Sequence, residues 1–260
     1  VHALDVVAEE LRGEIGAFDR LGEAEMATAL RERHGVALEI GETHSGLLRH
    51  YDESAKELFI NAATPPESRR FLIALQLMRL SASTIIEDVV KSAALQVPGA
   101  DRLLEVGLAN YAAGALMMPY ASFRKAAREV RHDIDRLARQ FGVSFEQACH
   151  RLSTLQRPGM RGIPFFFCRV DMAGNITKRH SATRLQFARF GGACPLWIVH
   201  EAVAIPDRIV TQLGETPDGV RYVSMAKGLV KPSGSYSRLP RRYAVALGCE
   251  IEHAANFIYA

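Results

Sequence analysis

Residues 71–80, "FLIALQLMRL", decide the fold because they read as the middle of one regular helix. Phe71, Ala74, Leu75 and Met78 recur at three- and four-residue spacing and so share a face. "TPPESRR" (64–70) precedes them, with Thr64 as an N-cap and two prolines suited to a first turn; this predicts a helix over 66–80. Upstream, "VALEI", "GLLRHYD" and "KELFINA" are strand-like and separated by turn residues, as in a small antiparallel meander. Before them, "ALDVVAEELRGEIGAFDRL" and "EAEMATALRERHG" read as helices broken at Gly22 and Gly35.

Downstream, helices are expected over 101–118 and 121–141. Phe123, Ala127, Val130, Ile134, Leu137 and Phe141 form the stripe of the second, with its arginines mostly off that stripe. "VSFEQACHRLSTL" (143–155) opens on a capping-box pattern, Ser144 to Gln147. "QRPGMRG" (156–162) reads as a linker, and beyond it the pattern turns to strands. "IPFFFCRVD", the turn "MAGN" and "ITKRHS" come first, then a helix, "LWIVHEAVA". "RIVTQLGE", the turn "TPDG", "VRYVSMAKG", "RRYAVALG" and a final helix from Glu250 follow. The class is α+β, with a mixed sheet and two helices after the linker, as in a PAS- or GAF-like mixed α/β sensor domain.

With 260 residues the chain is long enough for one or two domains with a sizeable core. Its four cysteines, Cys149, Cys168, Cys194 and Cys249, are widely spaced and form no C-x-x-C, which suits a reducing cytoplasm. No apolar run reaches bilayer length and no signal-peptide pattern opens the chain; a cytoplasmic location without a membrane partner is expected. The chain lacks an initiating Met and stops at "NFIYA", which reads as a piece of a longer protein. Charge is uneven: residues 1–60 hold thirteen acidic and six basic side chains, residues 121–180 five and twelve. Such a basic middle segment suits a polyanionic partner or a set of solvated helix faces.

A zinc-peptidase helix carries H-E-x-x-H, two His one turn apart with a Glu base between. Here Leu75-Gln76-Leu77-Met78-Arg79 fills that frame. The meander, the helix at 66–80 and a helix ending "LANYAAGALMMP" (108–119) together resemble the ImmA/IrrE family of metallopeptidase-like domains. That resemblance implies an acidic zinc ligand just before an Ala-Asn pair, a place taken here by Leu108 before Ala109-Asn110. With Leu75, Arg79 and Leu108 at the ligand positions, neither metal nor peptidase activity is expected.

"RLSTLQRPGMRGIPFFFCRVDMAGNITKRHSAT", "GGACPLWIVHEA", "TPDGVRYVSMAK" and "ALGCEIEHA" resemble the bacterial short-chain fatty-acyl-CoA regulators, the ScfR group. This resemblance covers essentially the whole chain. It implies a ligand-sensing region that binds an acyl-CoA, propionyl-CoA first, and controls propionate and short-chain fatty acid metabolism genes. DNA would be met only through a helix-turn-helix outside this chain. A homodimer is expected, with helices 1–34 as its seam, followed by a degenerate metallopeptidase-like domain (35–156) and a sensor domain (162–260). The family's 4Fe-4S cluster would draw most ligands from a cysteine-rich tail beyond Tyr259, leaving only Cys249 and Cys194 here. No cofactor is therefore expected in this chain.

Coenzyme A offers phosphates for Arg and Lys donors, and its short acyl chain wants an apolar slot. Arg79, Gln76 and Tyr111, with Met117 or Met118, would line the vacated zinc cleft. Arg157, Arg161, Arg169, Lys178 and Arg179 would supply the phosphate contacts. Cys249 and His253 stand four apart, too few ligands for a metal site. Two other readings stay open: DNA binding through 143–156, and a thiol enzyme pairing Cys168 or Cys194 with His180 or His200.

Overall fold

Two glycines close the first helices. A computed structural model describes residues 1–16, 20–42, 47–187, 193–231 and 240–260. Helix α1 (His2–Ile15) ends at Gly16, φ 74°, and α2 (Glu23–His34) at Gly35, φ 68°. Both sit in the left-handed region that glycine enters without a Cβ clash. Thus α1 stops short of the predicted 3–21, and residues 17–19 of that stretch lie outside the described ones. Leu4, Ala8 and Leu11 of α1 are buried, so the helix proposed as a dimer seam spends its apolar face on the core.

Strands β1 (Ala37–Gly41), β2 (Arg49–Asp52) and β3 (Glu57–Asn61) form a sheet in the order β1-β3-β2. The expected antiparallel meander is corrected here: β1 runs parallel to β3, and only β2 is antiparallel to it. The most apolar strand takes the centre, because β3 buries Leu58 and Ile60 fully and there has both edges hydrogen-bonded.

Helix α3 (Pro66–Ser81) follows, with Pro65 at its N-cap; the side-chain hydroxyl of Thr64, expected to cap it, has no hydrogen-bond partner. Its buried face is Arg70, Ile73, Ala74, Leu77 and Met78, so the predicted stripe is rotated: Phe71 and Leu75 are only half-buried. Arg70 is tolerated inside because its guanidinium donates twice to the Gly142 carbonyl, at 2.6 and 3.2 Å. Helix α4 (Ser83–Ala93) is followed by α5 (Ala100–Met117). Between α1 and α5, Tyr111 donates to Asp5 at 2.8 Å and Arg12 to the Leu116 carbonyl at 3.3 Å.

The helix predicted over 121–141 is two helices, α6 (Tyr120–Glu129) and α7 (Ile134–Phe141). Arg131 and His132 between them are left-handed, φ 50° and 61°, and His132 N–H donates back to Ala127 O at 2.7 Å. Asp133 then opens α7 by accepting from Arg136 N–H at 3.0 Å.

Helix α8 (Phe145–Ser153) packs on strands β4 (Phe165–Asp171) and β5 (Ile176–Ser181). Helix α9 (Val199–Ala204) precedes β6 (Ile209–Glu215), β7 (Arg221–Lys231) and β8 (Arg241–Glu250). The sheet order is β5-β4-β8-β7-β6 and every strand pairing is antiparallel, which corrects the expected mixed sheet. The final helix is a 3-10 helix, Ile251–Asn256. Gly228 lets α9 lie directly on β7: a Cβ there would stand 1.9 Å from the Ala202 carbonyl oxygen.

Packing groups residues 1–123 with 138–144, and residues 124–137 with 145–260. This grouping departs from the expected ranges 1–34, 35–156 and 162–260. It places α8 with the sheet because Phe145, Ala148, Cys149 and Leu152 bury against it, whatever the Pro-Gly run at 158–159 does.

Candidate functional site

The site is best built from β2 and α3 of the first unit. Alternation along β2 points Arg49 and Tyr51 to one side of the strand, since side chains change face at every residue. These two residues, with Gln76 and Arg79 of α3, Ser83 and Glu87 of α4, and Glu105 of α5, line a cavity of about 500 Å3. Arg49 donates to the side-chain Oε1 of Gln76, which holds a buried amide and a part-buried guanidinium together. Burial, then the charge of Arg79, pulls the Arg49 pKa below its ordinary value. Arg79 itself pairs with Glu105 at 3.0 Å, both side chains being 44% exposed.

Two polar atoms at this cavity are left over. Arg49 Nε and the Tyr51 hydroxyl are both buried with no hydrogen-bond partner. An unmet buried donor costs about 1–3 kcal/mol, so a small shift of this lining that lets a bound molecule meet them is favoured. The lining carries Arg49, Arg79 and His50 against Glu53, Glu87 and Glu105, so its charge is close to balanced. A neutral, amide- or carbonyl-bearing group suits it better than a multiply charged one.

Of the residues predicted for this cleft, Gln76 and Arg79 are in it. Tyr111 is not: its hydroxyl is spent on Asp5. Met117 and Met118 are buried and absent from the lining. Sequence reasoning missed Arg49, Tyr51 and Glu105. The polar and aromatic "RHYD" inside a strand-like stretch was the available signal for the first two.

The basic residues predicted in and beyond the linker all belong to the second unit. Arg169 and Lys178 meet at one carboxylate, Glu146 on α8, at 3.3 and 3.8 Å. Lys178 also lies over the Phe167 ring, and Arg169 over Tyr243, whose hydroxyl is pushed up to about 12 by burial and then by Glu146. His150 and His180 adjoin this cluster, their ring centroids 6.2 Å apart. Burial drives His150 down to about 3 and lowers His180, so both are neutral at ordinary pH. Arg157, Arg161 and Arg179 are not drawn to Glu146. Arg157 is half-buried, Arg161 is exposed with its carbonyl taken by Arg124, and Arg179 is exposed on β5.

The thiol readings find no support in this geometry. Phe167 pairs with His180 across β4 and β5, so His180 shares the Phe167 face while Cys168 points to the opposite one. Burial raises Cys168 to about 12, far from a reactive thiolate. The His200 ring meets the carbonyl of Cys194 at 3.1 Å, not its sulfur. Cys194 is exposed, whereas Cys249 is buried on β8 and also raised to about 12. The ring of His253 contacts Glu252 at 3.4 Å. Helix α8, the candidate DNA-reading helix, has no exposed residue, so it offers no face to a groove. Among the described residues no helix is long and apolar enough to cross a membrane.

Residues 31–153 match the family model described as IrrE N-terminal-like domain, and residues 154–260 the one described as short-chain fatty acyl coenzyme A regulator, C-terminal. A propionyl-CoA carboxylase regulator of Cereibacter sphaeroides is 48% identical over 258 residues, 99% of this chain and 55% of that protein. The HTH-type transcriptional regulator PrpR of Mycobacterium tuberculosis is 42% identical over 261 residues, 100% of this chain and 54% of that protein. The chain thus spans about half the length of the curated relatives it matches. A solved Mycobacterium tuberculosis transcriptional regulator superposes with a TM-score of 0.94 at 42% identity, over 100% of this chain and 79% of that one. Two adjoining family matches, these relatives and the same fold throughout place the chain in the family of short-chain fatty acyl coenzyme A regulators.

Proposed function

We propose that this chain is the ligand-sensing region of a bacterial transcription regulator, and that its ligand is a short-chain acyl-coenzyme A, propionyl-CoA before acetyl-CoA. The observation that carries the reading is the cavity of about 500 Å3 where Arg49 Nε and the Tyr51 hydroxyl lack partners. The thioester carbonyl and the amides of the pantetheine arm are neutral groups of the kind its balanced lining accepts. The frame of α3 and α5 supports the same reading. Leu75, Arg79 and Leu108 stand where a zinc peptidase of this kind would place its ligands, and none of the three binds zinc. A cleft without metal chemistry is left to recognition.

The names of the relatives point the same way, since one is a propionyl-CoA carboxylase regulator and another an HTH-type regulator. The sheet order β5-β4-β8-β7-β6, with its first and last strands adjacent at the centre, supports a PAS- or GAF-like reading of the sheet-rich unit. Arg161 and Arg179 are exposed and are the first to substitute on that unit in a test for phosphate contacts.

Titration calorimetry with propionyl-CoA, acetyl-CoA and free coenzyme A tests the reading. Micromolar binding of propionyl-CoA is expected, weakened roughly tenfold by Arg49→Met or Tyr51→Phe, as for the loss of one buried hydrogen bond. Absence of thioester binding, or equal binding by both variants, would overturn it.

A further inference from the structure

Arg49 carries a charge that its neighbours do not neutralise. Its Nη2 is spent on Gln76, a neutral amide, and its Nε is buried with no partner. Among the described residues no carboxylate pairs with it, and the charge acting on it is that of Arg79, which repels. A part-buried guanidinium in that position is costly, because burial removes water and no counter-charge replaces it.

The acids of the same cavity are engaged elsewhere or open to solvent. Glu105 pairs with Arg79, Glu87 lies 3.6 Å from Lys91, which is not in the lining, and Glu53 is exposed in the turn after β2. The lining is thus balanced as a whole and positive at Arg49. One negative charge satisfies that corner, whereas further negative charges meet the acids of the lining. Arg49 Nε and the Tyr51 hydroxyl are its two unpartnered polar atoms, on the same side of β2. A guanidinium and a phenol both donate to a carboxylate, in charge-assisted hydrogen bonds, once the lining shifts to admit it. Leu80 and Ile86 add apolar surface to the same cavity, of the kind a short aliphatic chain needs.

We infer that this corner also binds a free short-chain monocarboxylate, such as propionate, in competition with the acyl-CoA. The inference rests on the cleft assigned above but not on thioester binding to it. A ligand whose only charge is one carboxylate neutralises Arg49 and brings nothing for the acids to repel. An acid and its coenzyme A thioester are one acyl group before and after ligation, so a cleft that holds either compares their amounts.

Ligand-observed NMR titration of the 260-residue chain with propionate, propionamide, inorganic phosphate and succinyl-CoA is the test. Propionate binds with a Kd of roughly 0.1–1 mM, as expected for so small a ligand, and propionamide and phosphate at least about tenfold more weakly. Arg49→Gln weakens propionate at least about tenfold and Tyr51→Phe roughly threefold, with circular dichroism unchanged. In calorimetry, propionate at about ten times its Kd raises the apparent Kd of propionyl-CoA about tenfold by mass action. Propionate that fails to bind, binds no better than propionamide or phosphate, or binds both variants like the parent overturns the inference; the propionamide arm needs no variant. Binding of acid and thioester without competition overturns the shared cleft. Binding of succinyl-CoA but not of propionate moves the carboxylate onto a thioester and overturns the free-acid assignment. If propionate binds and propionyl-CoA does not, this inference stands and the acyl-CoA reading falls.

Discussion

Two polar clusters, one in each unit, differ in how their cations are met, although buried His180 Nδ1 beside the one in the second unit also lacks a partner. Between α8 and the sheet, Glu146 is shared by Arg169 and Lys178, and the rings of Phe167 and Tyr243 cover the cations. Around β2 and α3, by contrast, Arg49 is only partly satisfied, Tyr51 is unsatisfied, and both border open volume. Polarity that is paired and covered is architecture. Polarity left unmet beside a cavity is a recognition surface waiting for its partner. Arg169 and Lys178, from the basic segment that first suggested an anion site, therefore belong to the first kind, and the candidate cavity lies outside that segment.

If the sheet-rich unit is closed and filled, intrusion there has the largest effect. Gly228→Ala forces a Cβ against the Ala202 carbonyl, which belongs to backbone and cannot swing away. A loss of about 3 kcal/mol or more is expected in urea melts. The next effect is acid sensitivity. An unfolded imidazole takes its proton near 6.5, whereas buried His150 resists until about 3. Stability is therefore full above pH 6.5 and falls as pH drops from there toward 3, by up to about 1.4 kcal/mol per pH unit for this residue. His180 and His132 are lowered by burial as well and add to the slope. His150→Gln flattens it by about one proton.

Smaller effects sharpen the contrast. Glu146→Gln leaves Arg169 and Lys178 without their shared anion; a loss of about 2 kcal/mol is expected, discounted for the part-exposed cations. The Tyr243 hydroxyl, now near 12, then titrates lower in ultraviolet absorbance. In the cleft the sign reverses. Tyr51→Phe removes an unmet buried hydroxyl, so the ligand-free protein gains about 1 kcal/mol while acyl-CoA binding weakens. Arg79→Ala breaks only a half-exposed ion pair with Glu105 and shifts the thermal midpoint least, by no more than about 0.5 kcal/mol. A cleft substitution that costs as much as Gly228→Ala would erase the distinction between the two regions.

Periodicity made most of the fold legible. Helices α2, α3 and α5 and strands β4 to β8 stand close to where apolar spacing and turn residues put them. What it missed has physical causes. The break between α6 and α7 depends on Arg131 and His132 entering a left-handed conformation without a glycine to announce it. Helix α4 was unread because "STIIEDVVKSA" offers short β-branched pairs that argue for a strand as readily as a helix. Within the site, Gln76 and Arg79 were found because a motif frame pointed at them. Arg49 and Tyr51 were not, because tertiary packing against α3 brings them there, with Gln76 standing 27 residues along the chain from Arg49. The thiol and DNA-reading alternatives failed on sidedness and burial, which composition does not encode.

The order of the small sheet also governs how it assembles. The β2–β3 hairpin closes across Glu53–Lys56, with Asp52 accepting from Ser54 and Ala55 N–H to hold the turn, so it forms on the microsecond scale of local hairpins. Strand β1 finds its place only afterwards, since Ala37 must reach Glu57 on the far edge of a strand already made. The hairpin thus sets Arg49 and Tyr51 on one side of β2 without help from β1, none of whose residues lines the cleft.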